Sequence, residues 1–205
     1  SRMRRRGPML LRAGLAAVLV LCAAVSGAGP GGAAEPPARR VLVISLPGLT
    51  WADVAADGLP TVRALAAESA VANLAVRSVV RRRMTPAEGY ASIGAASRAL
   101  AAYPDAGFAF APSAPFEGGT AGAAFARRTG RTPGTVIVPP MPVLQAENDA
   151  GLYKAQLGRL GDALAGGGVR AGVVANADPG RVSVPVRDAA LAVADSDGSV
   201  PCGTE

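Results

Sequence analysis

At 205 residues the chain holds one domain of ordinary size and is too short for two independent cores. Half of it is hydrophobic but only 4% is aromatic, so a core would be built from Ala, Val and Leu. The formal charge of +6 sits at one end: of the 21 Lys and Arg, Arg2, Arg4, Arg5, Arg6 and Arg12 precede any acidic residue, and the remaining 16 meet 15 Asp and Glu, leaving +1. Phosphate-backbone binding needs a concentrated basic surface, so no nucleic-acid partner is expected.

The first 34 residues have the order of a signal peptide: a basic segment, an apolar run from Leu15 to Val25, then small residues through Ala34. The run from Ala13 to Ala28 is shorter than the roughly 20 residues that span a bilayer, which predicts export with cleavage rather than an uncleaved anchor. Export makes the protein extracytoplasmic, secreted or associated with the cell envelope. With Cys22 lost in the leader, Cys202 has no partner for a disulfide within these residues. Residues 35–40 continue a Pro, Gly and Ala stretch that reads as a flexible linker. A domain is expected over 41–205, and the missing initiator Met and the strand restart at Val200 suggest a longer parent chain, in which a membrane anchor would lie beyond Glu205.

Val41–Leu46, VLVISL, reads as a buried strand that ends at Pro47-Gly48. Pro60–Ser69 places Val62, Leu65 and Ala66 on one helical face, and Ala70–Val76 reads as a second strand. Thr85 is the expected N-cap of a helix over Ala87–Ala101, with Pro86 at its entrance. Residues 103–134 show no sustained period and are predicted as an insertion, functional or poorly ordered, with a short helix near Ala121–Arg128. Thr135–Val138 is a short strand, Asn148–Ala165 an amphipathic helix and Val169–Ala175 a strand. Ala189–Ala194 with the Asp195–Gly198 turn reads as a hairpin. Strands alternating with helices predict an α/β domain with a largely parallel sheet and flanking helices.

In such sheets, binding groups gather at strand C-termini and helix N-termini, which singles out the turn Ser45–Trp51 and Thr85. A hydroxyl at a helix N-terminus can be activated and a phosphate held there, with Arg81, Arg82 and Arg83 adding charge. The plainer readings are a capping Thr85 and a solvated arginine loop.

The segments VLVISLPGLTW, LPTVRALAAESAVANLAV, TPAEGYASIG and LGDALAGGGVRAGVVANAD together resemble the opening of the alkaline phosphatase superfamily. The likeness is to its type I phosphodiesterase and nucleotide pyrophosphatase branch, in particular to secreted or membrane-anchored members from high-GC bacteria. It implies the N-terminal portion of an alkaline-phosphatase-like domain, with Thr85 at the nucleophile position and Tyr90 at the position of the family tyrosine. It also places Pro47 where the family has a metal-binding Asp, and Glu88 and Gly89 where it has Asn and His. Proline offers no ligand, and the chain has no His at all, so no metal ligand is assigned within it. Asp53 is a conceivable substitute carboxylate, though helix capping is the simpler role, and the DSDG run lacks the spacing of a calcium loop.

The expectation is therefore a degenerate, non-catalytic phosphatase-like domain that binds a phosphorylated small molecule or an envelope component, with Arg81–Arg83 and Tyr90 as binding residues. The rival is an active phosphoesterase in which Thr85 attacks phosphorus and a divalent metal such as zinc is held by ligands beyond Glu205. A scaffold of the cell envelope is the third reading.

Overall fold

The computed structural model describes residues 40–56, 58–72, 79, 84–102, 106–175 and 186–204. The leader and Arg81–Arg83 lie outside the described residues, as do most of the expected second strand and the start of the insertion. Contacts divide the chain into two units, Ser1–Leu46 and Pro47–Glu205.

In the first unit, residues 41–46 form no strand, and their side chains are exposed, Leu42 at 84% and Val43 at 80%. The expected buried opening strand is thus not formed: an apolar, β-branched hexapeptide becomes a strand only within a ladder, and residues 41–46 belong to no ladder among the described residues.

The second unit opens with the Pro47-Gly48 turn, where Gly48 has φ of +85°. Helix α1 (Trp51–Ala55) follows, then α2 (Pro60–Ala67), whose Arg63 guanidinium donates to the carbonyls of Val54, Ala55 and Ala56 at the end of α1. The expected apolar face of α2 is only half covered: Val62 and Ala66 are half-buried, while Leu65 is exposed.

Helix α3 (Pro86–Ala95) buries Ala87, Ala91 and Ala95, one i, i+4, i+8 stripe of small side chains, and packs on a 3₁₀ helix at Asp188–Ala192. It is six residues shorter at its C-terminal end than expected, because Ala96 turns left-handed at φ of +50° and closes it.

The insertion is built, in its described part, from a small hairpin, β1 (Pro115–Phe116) with β2 (Gly119–Thr120), leading into α4 (Ala121–Thr129). Strand β3 (Val136–Ile137), helix α5 (Met141–Ala150), helix α6 (Arg159–Gly166) and strand β4 (Gly172–Val174) come next, and β5 (Ser199–Val200) and β6 (Cys202–Thr204) end the described chain.

Helices and short strands therefore mix in one fold, as expected, but the sheets are three separate pairs. β1–β2 and β3–β5 are antiparallel, and only β4–β6 is parallel, so the largely parallel sheet is corrected to small, mostly antiparallel ladders among the described residues. The hairpin expected around the DSDG turn is replaced by the 3₁₀ helix and a pairing of β5 with distant β3, Val136 opposite Val200. The turn itself forms: Asp195 Oδ1 accepts from the backbone N–H groups of Asp197 and Ser199, and Arg131 bridges Asp195 and Asp197.

The single helix expected over Asn148–Ala165 is two. Lys154 at φ of +48° and Gly158 at φ of +78° break it, leaving Leu152 82% exposed and Leu157 buried. Asn148 ties α5 to the segment after α3: its Oδ1 accepts from Leu100 N at 2.8 Å and its Nδ2 donates to Leu100 O at 2.9 Å. The main core joins this frame to β3, β5 and the 3₁₀ helix through Val136, Val138, Met141, Leu144, Leu191 and Val200 among many alanines.

Candidate functional site

Thr85 stands in extended conformation at the mouth of α3, φ −83° and ψ 157°, where an N-cap belongs. Its hydroxyl accepts from Glu88 N at 3.1 Å while its own N–H donates to Glu88 Oε2 at 3.0 Å, a reciprocal capping box. Glu88 is 97% buried in doing so, since its exposure is 3%. The carboxylate thus sits on the positive end of the helix, where a phosphoryl group would otherwise be drawn.

A cavity of about 230 Å³ opens beside this cap, lined by Thr85, Pro86, Ala87, Ala101, Ala102, Gly107 and Asp188. Asp188 enters it from the first turn of the 3₁₀ helix, and burial raises its carboxyl above the ordinary range. Room for this side chain comes from Gly107: a Cβ there would lie well inside the 3.0 Å that real Cβ atoms keep from Asp188 Oδ1. Nothing in the local pattern around Asp188 marks it, because its neighbours in the cavity lie between 81 (Gly107) and 103 (Thr85) positions earlier in the chain.

A third carboxyl lies close by. Glu147, on α5, has its Oε2 shut off from solvent and without a hydrogen-bond partner among the described residues. Burial, and then the charge of Glu88, push its pKa upward. A carboxyl whose pKa rises on folding holds its proton more tightly in the native state, so this group lowers stability as pH climbs from its ordinary 4.5 through the raised value and has no such cost in more acid solution. Glu147→Gln should therefore raise the melting temperature slightly at neutral pH and flatten its decline above pH 4.5. Melting curves across that range check this, and an unchanged or steeper decline would contradict it.

Of the residues singled out from sequence, Thr85 is at the cavity, whereas Tyr90 turns onto the main core from the middle of α3 and is half-buried. Five positions along the helix place Tyr90 away from the cap, so Thr85 and Tyr90 do not share this cavity's lining. Pro47 lies in an exposed turn, and the Asp53 carboxylate is taken by Thr50, whose N–H and hydroxyl donate to Oδ2 at 2.8 and 2.6 Å and hold its pKa below the usual value. It is a second capping box, at α1.

The metal pair implied by the family resemblance does not fit these residues. Pro47 has no donor, Asp53 is committed to its cap, and among the described residues no three His, Cys, Asp or Glu side chains come together to share an ion. No helix among the described residues is long and apolar enough to cross a membrane. Comparison with protein-family models, curated proteins and solved structures gives no match.

Proposed function

We propose that the chain is the opening part of an exported, phosphatase-like domain that binds its ligand without cleaving it. The observation that carries this reading is the capping box at Thr85: the hydroxyl at the nucleophile position accepts from the Glu88 N–H, and the Glu88 carboxylate accepts from the Thr85 N–H. A phosphate arriving there would meet Glu88 and Asp188 at close quarters, and like charges in a partly buried site repel strongly. Pro47 in the position of a metal-binding carboxylate removes the cation that would offset this repulsion. Export is supported by the arginine-rich start, the apolar run and the small residues after it.

One observation favours the enzymatic reading: Thr85 and Asp188, a hydroxyl and a carboxylate of raised pKa, share one cavity. A single experiment separates the two. The purified full-length protein is expected to show no hydrolysis of phosphate mono- or diesters above background, with or without added zinc or magnesium. Thr85→Ala should do no more than weaken the cap, costing about 1 kcal/mol of stability, read as a shift in urea midpoint. Turnover that vanishes in Thr85→Ala would overturn the proposal.

A further inference from the structure

A second cavity, of about 490 Å³, lies away from Thr85, where the closing turn of α3 meets the broken segment between α5 and α6. Buried Ala95 and Ala155 contribute to its lining, and its polar lining comes from Ser97, Tyr153, Lys154, Gln156 and Arg159. It has two cations and no carboxylate, the opposite of the Thr85 cavity, whose one charged lining residue is Asp188.

We infer that this cavity binds a small, multiply charged oxyanion of the phosphate or sulfate class, with Lys154 and Arg159 as the charged contacts. Its volume suits a ligand of sugar-phosphate size. Among the described residues neither cation is neutralised within the protein: Lys154 Nζ donates to the backbone carbonyl of Asp149, and Arg159 Nη1 donates to the uncharged Gln156 Oε1 at 3.2 Å. An ammonium has three donors and a guanidinium five, so each keeps N–H groups for a ligand.

The bland alternative is that the two cations only offset the negative end of α3. That end amounts to roughly half a charge, against two full positive ones, so a surplus remains for an anion. The backbone is also held in an unfavoured form here. Of the three described non-glycine residues with positive φ, Ala96 and Lys154 both line this cavity, at +50° and +48°. Such conformations persist only where the surroundings impose them, and they concentrate at binding sites. Tyr153 is held in place by Arg98, whose guanidinium lies 5.1 Å from its ring centroid and donates to its hydroxyl at 2.7 Å, so one wall of the cavity is set in advance.

This inference stands apart from the proposed role of Thr85, and the test keeps the two separate. Inorganic pyrophosphate is titrated calorimetrically into the full chain at low ionic strength. Saturable binding is expected, weakened about tenfold for each cation removed in Lys154→Gln, Arg159→Gln and the double variant. Arg127→Gln, which removes an exposed cation on α4 outside this lining, should bind as the unaltered chain does. All the substituted positions are exposed, and melting curves would show that the variants fold. Absence of binding, equal binding by the double variant, or binding lost in Arg127→Gln would each overturn the inference.

Discussion

Phe125→Ala is expected to be among the most damaging single changes, costing about 3–5 kcal/mol and lowering the melting temperature by about 10 °C. Phe125 is 1% exposed, and with Ala121 and Ile137 it forms a small core of its own, against which Phe110 and Phe116 pack. The aromatic rings continue the contact outward, with Phe110 and Phe116 centroids 5.6 Å apart and Phe108 and Phe110 6.2 Å apart. With only four Phe in the chain, little else is available to fill the space that truncation leaves. Domains are stable by only about 5–15 kcal/mol, so the loss takes a large share of the total. Phe125→Leu, which keeps most of the volume, should cost under about 1.5 kcal/mol. Urea unfolding of the two variants measures the difference, and near-equal midpoints would show that this second core contributes little.

That core also explains why the insertion was hard to read. Its residues carry no period of 2 or 3.6, because the order comes from Phe110, Phe116 and Phe125 meeting across a two-residue hairpin and one short helix. Signals that are purely local were legible. Thr85-Pro86 announced the cap and start of α3, and Asp195–Gly198 announced its turn, because each depends on residues within one turn of each other. Partner choice was not legible. Val200 pairs with Val136 and Cys202 with Gly172, and nothing in either segment names the other. The leucine spacing over 152–164 satisfied a helical period, yet the left-handed backbone at Lys154 and Gly158 overrode it. Of the candidate site, the sequence revealed Thr85 but neither Asp188 nor the Lys154–Arg159 cavity, since both arise where distant segments meet.

Gly94→Ala would test how that meeting is held together. In an exposed helix the change should stabilise by about 0.8–1 kcal/mol, since alanine loses less backbone freedom on folding. Gly94 is instead buried against the 3₁₀ helix, and a Cβ there would fall far inside van der Waals contact with the Leu191 carbonyl oxygen, with Ala192 O 3.4 Å away on the same side. The obstacle is backbone alone, so no flexible side chain can swing aside, and overpacking of this kind costs about 1–3 kcal/mol. The clash should exceed the propensity gain, giving a net loss of stability. Because α3 carries Thr85 at one end and the 3₁₀ helix carries Asp188, any separation of the two also widens the cavity between them. Gly94→Ala is therefore expected to lower the urea midpoint and to speed hydrogen exchange at Ala91, Ala95 and Leu191 together. Unchanged exchange with a raised midpoint would mean that this close approach of helix and 3₁₀ segment does not set the geometry of the Thr85 site.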